Sequence, residues 1–305
     1  VIRFLVQTMG GKTTHDSVFI EYFFNIERRL LKMTKLIVTD MDGTFLNDYH
    51  SFDTKIFETI LELCQKKNVQ FTVASGSQYM RLVKQFEKYQ TRINYICQNG
   101  ASVYIGNRLL YAEELTHDEL KSLDNILSDQ TIATHLKQKL YLGQEGAYFL
   151  SHNGEALVEA NKYFPLLHSI RQINDIDELY NDNVLGMAVI GNGLTTNKPL
   201  SQIIQNMIPD NFSCLGSGFD FYLIQHKTVD KAVGVKNLQE YFNVTPDETI
   251  VFGNNYNDLK MLESTSQSFV MSNSPDDMKS RFNVLDCSNN QNGVQKKILS
   301  YLENI

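Results

Sequence analysis

Residues 35–40 read KLIVTD, and the chain continues MDGTFLND. Leu36, Ile37, Val38 and Thr39 form a run of apolar and β-branched residues, the pattern of a strand buried on both faces in the interior of a parallel sheet. The run passes straight into Asp40 and Asp42, with Gly43 behind them. A carboxylate taken out of water is costly unless something compensates its charge. A buried strand that ends in paired carboxylates therefore needs a reason, which the rest of the sequence has to supply.

Beyond this motif, helical and strand patterns alternate along the chain. Thr54 to Lys67 places Ile56, Phe57, Ile60, Leu61 and Cys64 on one helical face. VQFTVAS (69–75) reads as a second strand, Gln78 to Tyr89 as a second helix, and Tyr95 to Ile105 as a further strand with an Asn99-Gly100 turn inside it. Strand, helix, strand in this order predicts βαβ units and a parallel sheet. The middle of the chain differs, with helical periods at Thr116–Leu127, Glu155–Tyr163 and Leu200–Met207. Strand-like runs lie at Lys139–Leu150 and Leu185–Ile190, and a polar turn at 191–197. After Phe219 the first pattern returns: DFYLIQ (220–225), a helix near Ala232–Tyr241, TIVFG (249–253), a helix over Asp258–Glu263, SFVMS (268–272) and a last helix near Val294–Leu302. The expectation is an α/β chain in which a parallel-sheet core, residues 33–113 and 219–305, is interrupted by an α+β domain at 114–218.

Residues 1–32 read as an extension outside the core. The apolar patch Val18–Ile26 is followed, not preceded, by Arg28 and Arg29, the reverse of a signal peptide. MGGKTT (9–14) lacks the first glycine of a phosphate loop, since that position is Val6. A net charge of −7 argues against a general nucleic-acid binder, which needs a basic surplus, yet leaves room for a small phosphorylated ligand. Cys64, Cys97, Cys214 and Cys287 form no C-x-x-C pair, which points away from a zinc site or disulfide framework and towards a reducing cytoplasm. No apolar run approaches the roughly 18 residues that a membrane span requires. Nothing in the sequence marks a protein partner.

In open parallel sheets, ligands bind at the carboxyl ends of the strands. Four such loops carry complementary groups: Asp40 and Asp42; Ser75-Gly76 after VQFTVA; Lys231, opening the helix after DFYLIQ; and GNNYND, Gly253 to Asp258. In this order the set resembles the haloacid dehalogenase-like phosphatases. DMDGTFLND matches their first motif, D-x-D-G-T; Ser75 the second; Lys231 in VDKAVGVKNL the third; and GNNYNDLKML the fourth, usually G-D-x-x-N-D. The insertion between the second and third motifs is similar to that of the Cof-type branch, whose members mostly hydrolyse sugar phosphates and other small phosphate esters. VASGSQY, QNGA and SGFDFYLI also look like segments of its sugar phosphatases. The likeness runs from about Met33 to the C-terminus and implies a Rossmann-like core with an inserted cap.

The resemblance implies a Mg2+-dependent phosphatase. Asp40 would attack phosphorus and form an aspartyl-phosphate, and Asp42 would protonate the leaving alcohol and then activate water. Ser75, the Gly76 amide, Lys231 and Asn257 would hold the phosphate. Mg2+ would be bound by the Asp40 carboxylate, the Asp42 main-chain carbonyl and position 254, with Asp258 supporting its waters or Lys231. Position 254 departs from the family: an asparagine stands where an aspartate is usual, so one negative charge beside the metal is missing. Each residue also has a plainer reading. D-x-D-G could be a strand-ending turn, Ser75 a helix cap, Lys231 a solvated lysine and Asn99-Gly100 an ordinary turn. Two other functions fit the motifs: a phosphometabolite-binding or regulatory protein on a weakened phosphatase, motivated by Asn254, and a sugar phosphomutase on the same scaffold.

Overall fold

The computed structural model describes residues 35–150, 170–193, 199–216 and 220–304. The expected extension at 1–32 and the helix expected at 155–163 lie outside them.

β1 (Leu36–Asp40) lies at the centre of the first sheet. Leu36 and Val38 join the hydrophobic layer on one side and Ile37 the layer on the other, and all three are fully buried. α1 (Thr54–Lys67) begins where Asp53 accepts hydrogen bonds from the Lys55 and Ile56 amides, and ends at Asn68 in the left-handed conformation. β2 (Gln70–Ala74) comes next. The helix predicted over 78–89 is shorter: α2 covers Tyr79–Gln85, and a 3-10 stretch continues over Glu87–Arg92. The strand predicted over 95–105 is a hairpin. β3 (Asn94–Cys97) and β4 (Ser102–Ile105) pair antiparallel across a turn in which Gln98, Asn99 and Gly100 all have positive φ. β5 (Arg108–Ala112) closes that edge.

The chain then enters a second sheet. α3 (His117–Leu127), with a Thr116–Glu119 capping box, and the short α4 (Gln130–Ala133) precede β6 (Leu136–Gly143) and β7 (Ala147–Leu150). β8 (Ile170–Ile173), β9 (Val184–Gly191), α5 (Leu200–Gln205), β10 (Phe212–Gly216) and β11 (Phe221–His226) complete it. The strand order is β10-β11-β9-β6-β7-β8, antiparallel except for β7 with β8. This corrects one expected boundary. DFYLIQ is not a core strand, because its partners are β9 and β10, so the return to the core falls at residues 227–230 rather than at 219. A strand followed by a helix reads the same locally whichever sheet supplies its partners, which is why the sequence pattern misplaced it.

The core resumes with α6 (Lys231–Phe242), β12 (Thr249–Gly253), α7 (Leu259–Glu263), β13 (Gln267–Val270), α8 (Asp276–Lys279), β14 (Asn283–Val284) and α9 (Gly293–Asn304). Its strand order is β14-β13-β12-β1-β2-β3-β4-β5, parallel from β14 through β3. α1 and α9 cover one face with Phe57, Ile60, Ile298 and Leu302; α6 and α7 cover the other with Val235, Leu238, Met261 and Leu262. β1 lies between β2 and β12, so successive strands are added to one side of it early in the chain and to the other side late, the switch point at which α/β folds open a crevice.

Candidate active site

The loop after β1 is held from below. Phe45 packs edge-on against Phe57 and Phe71, with ring centroids 5.4 and 5.7 Å apart, and its carbonyl accepts from the buried Gln295 amide at 2.8 Å. Gly43, at φ +75°, lies against the Asn254 side chain, and a Cβ there would collide with the Asn254 amide. The first and fourth sequence motifs are thus in direct contact.

Lys231 opens α6, whose N-cap is Asp230. Gly100, at φ +102°, lets the turn after β3 press against the Asp230 carbonyl, where a side chain would not fit. From this seat the fully buried Lys231 ammonium donates to Asp40 Oδ1 at 2.5 Å and to Asp258 Oδ1 at 2.6 Å. The other Asp258 oxygen accepts from the Asn254 and Asn255 amides at 2.9 and 3.1 Å. Both oxygens of Asp258 are therefore occupied in setting the lysine and the turn after β12. Burial, and then the charge of Asp258, push the Asp40 carboxyl up to about 6, with Lys231 pulling the other way. Burial alone would lower the Lys231 ammonium, but the charges of Asp258 and Asp40 outweigh it and hold the lysine above its ordinary value.

Ser75 is buried, and its Oγ accepts from the Ser77 amide at 3.1 Å, leaving the hydroxyl proton to donate elsewhere. Gly76 lies against the Asn99 side chain. Asp42 differs from Asp40 in being half exposed, with Oδ1 3.1 Å from His50 Nδ1. Asn257 is exposed on the 3-10 turn Tyr256–Asp258, and no hydrogen bond among the described residues joins its side chain to the ion-pair network.

For a divalent cation, the Asp40 carboxylate, the Asp42 main-chain carbonyl and the Asn254 side-chain oxygen would supply all-oxygen donors of the kind Mg2+ takes while retaining water. Two buried carboxylates share the single Lys231 ammonium, so a further cation beside Asp40 would relieve the repulsion that raises its pKa. The residues fit the ion. Among the described residues, no three His, Cys, Asp or Glu side chains cluster as a metal site.

Several contacts were not foreseen from sequence. Asn273, in the loop after β13, donates to the Gly43 carbonyl at 3.0 Å. Buried Gln78 donates to the Gly143 and Gly146 carbonyls at 3.2 and 3.1 Å, and buried Gln98 to Gly143 at 3.3 Å. These amides tie the β6–β7 turn of the second sheet to the loops after β2 and β3. Asp182 braces the same turn by accepting from the Gln144 and Glu145 amides and the Tyr148 hydroxyl. Gln225, on β11, donates to the Gln98 carbonyl at 3.1 Å. Only a polar run after each strand hinted at Gln78, Gln98 and Asn273.

The fold and this site define a class. A family model described as haloacid dehalogenase-like hydrolase matches residues 37–298, and the chain belongs to that family. Within it the chain is a phosphatase of the Cof-type branch. A curated relative, the 5-amino-6-(5-phospho-D-ribitylamino)uracil phosphatase YbjI of Escherichia coli, is 25% identical over 272 residues, covering 85% of this chain and 93% of the relative. Among solved structures, SMU.1108c of Streptococcus mutans superposes with a TM-score of 0.74 at 25% identity, covering 88% of this chain and 99% of the other. The subclass IIB sugar phosphatase BT4131 shares the fold, with a TM-score of 0.69 at 18% identity, covering 88% and 99%.

Proposed function

We propose that the chain is a Mg2+-dependent phosphatase that hydrolyses small phosphorylated metabolites, of the sugar-phosphate type, through an aspartyl-phosphate on Asp40. The observation that carries this reading is the pair of contacts from Lys231 to Asp40 and Asp258 at the mouth of the sheet crevice. Lys231 fixes one oxygen of Asp40 and leaves the other to meet phosphorus in line. The Ser75 hydroxyl and Gly76 amide supply neutral donors to phosphate oxygens, and Lys231 the fixed positive charge. Asp42, more exposed than Asp40 and not held by Lys231, would give a proton to the leaving oxygen and later take one from water. A bound Mg2+, held by Asp40, Asp42 and Asn254, would neutralise charge between nucleophile and phosphate.

The second sheet acts as the cap, docked by its β6–β7 turn, and would exclude water from the reacting centre. The sugar-phosphate class rests on the phosphoribityl substrate in the name of the E. coli relative and on the likeness to a sugar phosphatase fold. The four cysteines are free thiols, in keeping with a cytoplasmic setting. No helix among the described residues is long and apolar enough to cross a membrane.

A phosphate-release screen over sugar and polyol phosphates, with Mg2+ varied, tests this directly. Asp40→Asn is expected to abolish turnover of an aryl phosphate while leaving the circular dichroism spectrum unchanged; unchanged turnover would refute the nucleophile. Asn254 motivates a second reading, a protein that binds sugar phosphates without hydrolysing them. Binding without phosphate release at high Mg2+ would favour it. An isomerised sugar phosphate as product would instead indicate a mutase.

A further inference from the structure

We infer that His50 is a positioning residue for Asp42, holding its carboxyl group in the orientation that delivers a proton to the leaving oxygen. The inference rests on the reading of Asp42 as the acid and base of the reaction.

His50 sits in a loop whose shape is determined without its imidazole. Asn47 Oδ1 accepts from the Tyr49 and Ser51 amides and from the Ser51 hydroxyl, at 3.0, 3.1 and 3.0 Å. The Asn47 amide donates to the Ser51 carbonyl and the His50 amide to the Asn47 carbonyl, each at 2.9 Å. Two outside anchors fix the loop to the core. Gln85 donates to the His50 carbonyl at 3.1 Å, and Asp48 accepts from the Asn289 and Asn290 side chains, each at 2.9 Å.

This scaffold holds His50 at φ +54°, a conformation that costs a histidine energy and that asparagine or glycine adopts more readily. Such backbone is retained where surrounding structure over-determines it, and it clusters at functional sites. Every loop bond made by His50 uses its main chain. Its side chain, 70% exposed, makes one hydrogen bond, from Nδ1 to Asp42 Oδ1 at 3.1 Å.

The chemistry explains why that contact matters. In the first step Asp40 Oδ bonds to phosphorus, the phosphorus–oxygen bond to the alcohol breaks, and the proton on Asp42 passes to the departing oxygen. In the second, Asp42 takes a proton from water as that water bonds to phosphorus and the bond to Asp40 breaks. Both transfers need one Asp42 oxygen aimed at the reacting centre. A half-exposed carboxylate is free to rotate, and a donor on Oδ1 restrains it and leaves Oδ2 for the proton transfer. The neutral tautomer with its proton on Nδ1 suffices.

The test compares kcat/KM, which reports the first step, for glycerol phosphate and 2,4-dinitrophenyl phosphate at saturating Mg2+. The alkyl oxygen needs a proton to leave, whereas dinitrophenolate does not. General acids contribute roughly 10²–10⁴-fold, and His50→Leu is expected to lose about 10-fold on glycerol phosphate with little change on the aryl ester. His50→Asn should restore most of the loss, because its Nδ2 stands where Nδ1 stood and asparagine tolerates the left-handed backbone. Equal losses on both esters, no loss on either, or failure of His50→Asn to rescue would overturn the assignment. Asp42→Asn is run beside them. If it shows the leaving-group dependence and His50→Leu does not, only the role of His50 falls; if it shows none, the acid reading of Asp42 falls first and His50 with it.

Discussion

Lys231 Nζ stands between two carboxylates, 2.5 Å from Asp40 Oδ1 and 2.6 Å from Asp258 Oδ1, with the lysine and Asp258 side chains wholly removed from solvent. Removing one member of a buried ionic group leaves the others uncompensated, at a cost of about 3–5 kcal/mol. Lys231→Met is therefore expected to lower unfolding stability in urea by about that amount and to reduce phosphate release by at least 100-fold, roughly the cost of losing one transition-state donor. Wild-type stability in this variant would show that the triad is not under electrostatic strain.

The Asp40 carboxyl is raised from 3.8 to about 6 in the fold. A raised carboxyl binds its proton more tightly folded than unfolded. Its contribution to stability is complete below about pH 4 and is lost as pH climbs through 6, on the order of 3 kcal/mol in all. Metal-free wild type should accordingly lose stability relative to Asp40→Asn between pH 4 and 7. The difference between the two urea midpoints, measured in EDTA across that range, checks it.

Asn254 lies against Gly43, and under the proposed function it is one of the oxygen donors to Mg2+. Asn254→Asp is expected to lower the Mg2+ concentration for half-maximal rate by about 10- to 100-fold, the range that ligand-sphere changes produce. The same change adds a carboxylate near Asp40 and should destabilise the metal-free protein. Calorimetric titration with Mg2+ reads the affinity independently of turnover. An unmoved affinity would exclude position 254 from the metal sphere.

Gln78 gives two hydrogen bonds from the core to the β6–β7 turn. At about 1 kcal/mol each, their loss in Gln78→Ala should loosen docking of the second sheet and raise KM for a sugar phosphate about 10-fold. A small aryl phosphate, which asks less of the cap, should be little affected. Small-angle scattering on the same variant should report a larger radius of gyration.

Much of the core was legible because its elements announce themselves over short distances. α1 was read at the residues where Asp53 and Asn68 cap it, and β1 by its unbroken apolar run. The motif residues on β1, β2 and β12 were legible because parallel topology must bring those strand ends together. What escaped depends on partners distant in sequence. β11 looked like a core strand until its pairing with β9 and β10 was seen. β8 (IRQI) and β10 (FSCLG) mix polar residues or glycine into their runs and so do not stand out from the loops around them. Gln78 and Gln98 were hinted at only by the polar runs that hold them, and His50 not at all, since a glutamine or histidine in a polar loop is unremarkable until the opposing sheet or the folded-back loop supplies its acceptor.

The way the chain re-enters the core has a mechanical corollary. β11 ends at His226 and the helix bearing Lys231 starts five positions later, while Gln225 grips the turn that also presses on Asp230. So short a tether transmits displacement instead of absorbing it. Any tilt of the upper sheet would therefore be felt at the seat of Lys231, so that an opening of the enclosure would also disturb the ammonium held against Asp40.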